Sequence, residues 1–184
     1  FFIETGLLFQ ETYALRRQLQ ARLGLTIEAV YPELDLAQQA AQHSPHLWQC
    51  DPDLCCFLRK VAPLRRYLAD KRAWVTGIRR DQTPARASAQ VIEWDEANGL
   101  VKINPLAAWS SAQVWEHIRQ HDLPVNPLHR QGYPSIGCWP CTRAVRPGDD
   151  PRAGRWAGFA KTECGLHLGN GRAANGRPLR EGLP

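Results

Sequence analysis

The chain has 184 residues, 43% of them hydrophobic and 22% charged, the composition of an ordinary globular domain long enough to bury one proper core. It has no apolar run able to span a bilayer and no stretch built like a signal peptide, so no membrane partner is expected and a cytoplasmic location is. The net charge of +5 suits an anionic partner, but without a dense Lys/Arg tract it gives little support to a nucleic-acid function, and none is expected.

In chain order, Phe1 to Ile3 reads as a short buried strand. It looks already under way, and with no methionine anywhere it raises the expectation of an upstream segment. Thr5-Gly6 turns the chain, and Glu11 to Leu23 carries helical periodicity in Tyr13, Leu15, Leu19 and Leu23, stopped by Gly24. Thr26 to Tyr31 is a second strand, giving the strand–helix–strand order that a parallel sheet with crossover helices requires. Leu34 to Gln42 reads as helical. A further helix, capped by Asp51 or Asp53, runs through Cys55 to about Val61, with Pro63 disturbing it. Ala73 to Thr76 is a third strand ended by Gly77, followed by a basic loop from Arg79 to Arg86. Val91 to Trp94 and Leu100 to Ile103 form a hairpin across Asn98-Gly99. Ser110 or Ser111 caps an amphipathic helix with Val114, Trp115 and Ile118 on one face. Beyond Leu123 the chain is rich in Pro and Gly. The expected division is one domain over 1–168 and a mobile, disordered tail over 169–184.

Six cysteines stand at 50, 55, 56, 138, 141 and 164. In an intracellular chain such a set points to metal binding or catalysis before disulfides. Cys138-Trp-Pro-Cys141 aims two thiols at one point, which suits zinc, an iron–sulfur cluster or a redox dithiol. The tandem pair Cys55-Cys56 favours the cluster. Adjacent helical residues point about 100° apart, awkward for one small ion, whereas the separate iron corners of a cluster can each take a thiolate. The residues alone still leave zinc open. Lys60, four residues after Cys56 and on the same helical face, would offset the negative charge of such a cluster, though it also reads as a solvated lysine. Cys164 lies in Lys161-Thr-Glu-Cys-Gly-Leu-His167, too polar a setting for a core cysteine. Lys161 and His167 would favour its thiolate, so it reads as a nucleophile or as an incidental surface thiol. Cys50 has no partner pattern.

Arg79, Arg80 and Arg86 flank a loop that follows a strand end, where ligands bind in open α/β sheets and where arginine forks suit phosphate or sulfate oxygens. Arg152 and Arg155 form a second pair upstream of Cys164. Each arginine also has the ordinary reading of a surface charge. His129 and His167 are candidate proton donors or anion contacts.

Cys-Cys-x-x-x-Lys at 55–60, Thr-Gly-x-Arg-Arg-x-Gln at 76–82, Asn-Pro-Leu-Ala-x-Trp at 104–109, Gly-Tyr-Pro-Ser-Ile-Gly-Cys-x-Pro-Cys-Thr at 132–142 and Glu-Cys-Gly-Leu-His at 163–167 together resemble the assimilatory adenylyl-sulfate (APS) reductases of the PAPS/APS reductase family. Thr5-Gly6 and the residues to Tyr13 resemble the family's segment after its second strand. The resemblance implies a Rossmann-like parallel sheet of the adenine nucleotide alpha-hydrolase (PP-loop) type. It implies a 4Fe–4S cluster on Cys55, Cys56, Cys138 and Cys141, with Lys60 and His167 in support. Thr5, Gly6, Arg79, Arg80, Arg86, Arg152 and Arg155 would meet the substrate. The implied activity is reduction of adenosine 5′-phosphosulfate to sulfite and AMP, in sulfate assimilation and cysteine biosynthesis. Cys164 would carry an S-sulfocysteine, thioredoxin or glutaredoxin would be the reductant, and the enzyme would be a homo-oligomer. Three features depart from the family: its first strand and phosphate loop are absent, Glu4 stands where aspartate is common, and Cys50 is extra. The alternatives are a PAPS or dual-specificity reductase, though the usual PAPS enzymes lack the cysteine pairs, and a zinc-stabilised binding module without catalysis.

Overall fold

The computed structural model describes residues 1–167. The tail expected over 169–184 and the domain end at Leu168 lie outside the described residues. Two short parallel strands, β1 (Phe2–Ile3) and β2 (Ala29–Val30), pair in the register Phe2 to Ala29 and Ile3 to Val30. The crossover between them is α1 (Gln10–Leu23), which ends on the left-handed Gly24. A second sheet has the order β3 (Ala73–Val75), β5 (Leu100–Ile103), β4 (Ile92–Asp95). β3 pairs with β5 in parallel, and β4–β5 is the expected hairpin, closed by Gly99 N–H on the Asp95 carbonyl. The α/β class and the parallel pairing are therefore as read, whereas the second strand is shorter than its apolar run.

Helices α2 (Leu36–Gln42) and α3 (Leu47–Cys50) lead into α4 (Pro52–Cys56). Asp51 caps α4 by accepting from Leu54 N–H at 2.9 Å. Pro63 does not break the helical path. A π turn over Phe57–Val61 joins α4 to α5 (Ala62–Leu68), with Ala62 N–H bonded back to Phe57. The wider turn reorganises the ladder just where proline would meet the carbonyl four residues earlier. Cys55, Cys56, Arg59, Lys60, Pro63 and Leu64 are all buried along this stretch. α6 (Ser111–Gln120) begins with a capping box between Ser110 and Gln113.

Leu64, Leu68, Trp74 and Leu100 form the core, with Ile3, Tyr67 and Leu166 packed against them. Through Leu166 the segment after Cys164 is fastened to the body of the domain. Among the described residues no helix is long and apolar enough to cross a membrane.

Candidate active site

The site is assembled from three stretches distant in sequence. The first is the loop after β1. Thr5 is buried, its hydroxyl lies 3.4 Å from Cys138 Sγ, and it accepts from Leu7 N–H. Gly6 adopts φ +70 and donates to Glu4 Oε1, which also accepts from the Tyr13 hydroxyl, so glutamate at position 4 helps to fold this turn. The second stretch is the Cys138–Cys141 turn. It docks on that loop through Trp139 N–H to the Leu7 carbonyl at 2.8 Å and a bridge between Leu8 and Cys138. Thr142 closes it, donating to the Cys138 carbonyl and accepting from Gly137 N–H. The third is the π turn that carries Lys60 beyond Cys55 and Cys56.

These elements bring the four cysteines into one electrostatic neighbourhood. Burial pushes the Cys55 thiol up to about 12, and the neighbouring Cys56, Cys138 and Cys141 add to the rise. Cys141 is raised to about 11 by burial and then by Cys138 and Cys56. Cys56 rises through burial against the opposing pull of Lys60 and Lys161. All six cysteines are unpaired. Among the described residues, no group of three or more His, Cys, Asp and Glu side chains is gathered tightly enough to hold a metal ion. The sulfurs are neighbours without converging on one centre.

Lys60 is buried. Burial alone would lower its ammonium, but Cys138, Cys56 and Cys164 together hold it above its ordinary value. Cys164 therefore lies within electrostatic reach of both Lys60 and Cys56, although more than a hundred residues separate it from them in the chain. Its segment is held from both sides. Lys161 pairs with Asp53 at the start of α4. Glu163 accepts from the Thr83 hydroxyl at 2.9 Å, from Arg86 Nε at 2.9 Å and Nη2 at 2.7 Å, and from Arg152 at 3.4 Å.

The arginines divide into two sets. Arg86, Arg152 and Arg155 join the site. Arg155 lies over the Trp156 ring at 4.4 Å, in a gap that exists because residue 137 is glycine: a Cβ there would sit 2.3 Å from the Arg155 guanidinium. Among the described residues, buried Arg152 Nε, Arg155 Nε and Trp156 Nε1 have no hydrogen-bond acceptor and His167 Nδ1 has no partner, so polar atoms remain for a ligand. Arg79 instead pairs with Asp81, and Arg80 donates to the Ala89 carbonyl. These two are engaged within their own loop. His129 packs edge-on against Trp115 and bonds the Tyr133 carbonyl, so it serves the fold beside α6.

His167 is stacked on Trp74 with centroids 5.6 Å apart. Burial, with Arg86 and Lys102 adding, lowers its pKa to about 3, so it is a neutral imidazole and does not favour the Cys164 thiolate by positive charge, as its place in the sequence suggests. Lys161 likewise spends its charge on Asp53. A depressed histidine favours folding above its ordinary value of 6.5 and loses that contribution as pH falls toward about 3. Wild type is therefore expected to lose about 2 kcal/mol more than His167→Phe between neutrality and pH near 5, read from urea unfolding midpoints, since each pH unit carries about 1.4 kcal/mol.

Sequence reasoning missed four residues that build this site. Arg59 ties the π turn to the Thr5 loop. Asp53 and Glu163 anchor the Cys164 segment. Trp156, at the unusual φ of +47, gathers Arg152, Arg155 and Lys161 around its ring. Asp53 and Glu163 left a trace, the first as a candidate helix cap and the second inside the Glu-Cys-Gly-Leu-His motif, without a role at the site.

Residues 1–144 match the family described as the phosphoadenosine phosphosulfate reductase domain. An adenosine 5′-phosphosulfate reductase of Salinibacter ruber is 51% identical over 168 residues, covering 91% of this chain and 67% of that protein. A phosphoadenosine 5′-phosphosulfate reductase of Gloeobacter violaceus is 52% identical over 170 residues, covering 91% of this chain and 70% of that one. Among solved structures, the phosphoadenylyl-sulfate reductase of Candida auris in its phosphate complex superposes with a TM-score of 0.66 at 36% identity, over 78% of this chain and 70% of that one. The FMN adenylyltransferase of Candida glabrata, at 19% identity and a TM-score of 0.53 over 82% of this chain and 48% of that one, shares the fold.

Proposed function

The chain belongs to the phosphoadenosine phosphosulfate reductase domain family, and from that premise we propose that it reduces adenosine 5′-phosphosulfate to sulfite and AMP through a sulfonated Cys164. The observation that carries this reading is that Cys164 lies within electrostatic reach of Lys60, Cys56 and Arg152, and that Arg152 in turn lies within reach of Arg86 and Arg155. The Cys164 thiolate attacks the sulfur of the sulfonate, the bond from that sulfur to the bridging phosphate oxygen breaks, and AMP leaves with the electron pair. A thiolate of a thioredoxin- or glutaredoxin-type dithiol then attacks Cys164 Sγ and sulfite departs. The second thiol of the dithiol resolves the mixed disulfide and returns Cys164 to its reduced state. Two electrons pass from dithiol to sulfur, two protons are released, and the atoms balance.

Lys60, Arg152 and Arg155 stabilise the anionic oxygens, and their desolvation strengthens that effect. Thr5 and Gly6 shape the wall of the site beside Cys138. His167, as a neutral ring on Trp74, fixes the end of the Cys164 segment. Three buried thiols and a half-buried one, with the adjacent cations Arg59 and Lys60, match in chemical type the donor set of a 4Fe–4S cluster on Cys55, Cys56, Cys138 and Cys141, although the sulfurs would have to draw together to hold it. When bound, the cluster would supply a fixed negative charge that orients Lys60. A brown protein with about four irons per chain after anaerobic purification supports that assignment; a colourless zinc protein refutes it. The setting proposed is a cytoplasmic homo-oligomeric enzyme of sulfate assimilation.

The cysteine pairs favour the nucleotide without a 3′-phosphate, and the Gloeobacter relative's name makes the phosphorylated one the comparison to run. The test is incubation with APS in the absence of reductant: one sulfonate should appear on the Cys164 peptide with one AMP released per chain. A modification on any other cysteine, or none, overturns the proposal. Gly137→Ala should displace Arg155 and raise KM for the nucleotide by about tenfold, the scale of one charged hydrogen bond, with Tm little changed. An unchanged KM would remove Arg155 from the substrate contacts.

A further inference from the structure

We infer that Lys161 and Glu163 form a two-point clasp that holds the Cys164 segment closed, with Glu163 a positioning residue that acts through Arg86 and Thr83 and not on substrate. Burial alternates along the segment: Lys161 and Glu163 are buried, whereas Thr162 between them is exposed. In an extended chain, residues two apart face the same way, so both anchors meet the body of the domain together. One meets Asp53, two residues before Cys55. The other meets Arg86, Arg152 and Thr83, contributed by other stretches of the chain.

The signs of the two anchors set the register. A slip of two residues one way would bring Lys161 to Arg86 and Arg152, and a slip the other way would bring Glu163 to Asp53. Both put like charges in contact inside the protein, so only the observed alignment closes. One carboxylate between two guanidinium groups also leaves one positive charge in excess, so the fork still suits an anion when the clasp is shut. Leu166 in the core is a third anchor. Gly158, at φ +91 with open space where a Cβ would stand, supplies the freedom to swing.

The inference rests on the proposed function only for its purpose, which is to hold Cys164 against substrate and then release it to a second thiol. It implies that opening breaks both ion pairs together, as one step. The test uses the anaerobically purified protein without substrate. Iodoacetamide labelling of Cys164 is followed by mass spectrometry, with the exposed Cys50 as internal standard in the same chain. Rates are compared on the plateau of the pH profile, where the thiol is fully ionised, so that a change in its ionisation is separated from opening. The Cys164-to-Cys50 rate ratio should rise at least about tenfold in Glu163→Gln and in Lys161→Asp, and less in Thr83→Val, which removes one hydrogen bond and no charge. The exchange Asp53→Lys with Lys161→Asp should return the ratio toward wild type. An unchanged ratio in Glu163→Gln and Thr83→Val, or no recovery in a folded exchange variant, overturns the clasp. Labelling requires no turnover: if Cys164 proves not to accept a sulfonate, the proposed function fails while the clasp is judged separately.

Discussion

On the proposed function, Cys164→Ser is expected to reduce sulfite release to below about one thousandth of wild type, with the iron of the proposed cluster and Tm unchanged. Oxygen replaces sulfur with little change in volume at a partly exposed position, so no packing is disturbed. What changes is the chemistry. A thiol is readily ionised near neutral pH and attacks sulfur well, whereas a hydroxyl remains protonated and cannot form the S–S bond to the sulfonate. The cations around the site are untouched, so the variant should still bind AMP and APS with near wild-type affinity. The expected pattern is therefore a lost kcat, retained binding and no sulfonate on the protein after APS is added. A serine variant that retained turnover within tenfold of wild type would sink Cys164 as the nucleophile, whatever its place in the motif.

The part of the site legible in the sequence was the part written as pattern. The two cysteine pairs and the Glu-Cys-Gly-Leu-His segment stand out as motifs, and the structure makes the four paired cysteines electrostatic neighbours and sets Cys164 within reach of Cys56. Lys60 was legible through its spacing of four from Cys56. That inference assumed an α-helix, in which such a spacing drifts by about 40° per step around the axis. The stripe Cys55, Arg59, Pro63 and its neighbour Cys56, Lys60, Leu64 remain buried because the π turn absorbs the drift. Nothing in the residue types announces a π turn, apart from the proline that was expected to disturb the helix. Tertiary pairing was not legible at all. Arg79, Arg80 and Arg86 look alike in one basic loop, yet Asp81 and the Ala89 carbonyl hold the first two while Glu163 recruits the third from a distance of 77 residues. Which arginine serves a site is decided by the partner that reaches it, and that partner lies elsewhere in the chain. His167 illustrates the same point. Its proximity to Cys164 in sequence suggested a cation, but burial on Trp74 beside Arg86 and Lys102 removes the charge.

Arg59→Leu is expected to destabilise the domain by about 3 to 5 kcal/mol, the scale of a broken buried charge network. The guanidinium is buried at 4% exposure and donates to the Thr5 carbonyl, to the Leu34 carbonyl at 3.3 Å and to Gln39 Oε1 at 3.0 Å. Thr5 and Gln39 are themselves almost completely buried, so water cannot replace the lost donors without opening the loop after β1. Leucine fills part of the volume and leaves three acceptors unpaired, each costing about 1 to 3 kcal/mol before relaxation. Arg59→Lys retains the charge but has one ammonium for three acceptors on different elements, so it should lose about half as much. Urea unfolding measures both. A loss below about 1 kcal/mol for leucine would mean that the Thr5 loop finds other donors. The same variant separates stability from site geometry. The Thr5 hydroxyl lies against Cys138, so a loop released from Arg59 also loosens the Cys138–Cys141 turn. Iron of the proposed cluster should then be lost at urea concentrations well below the global unfolding midpoint, whereas in wild type the two transitions should coincide.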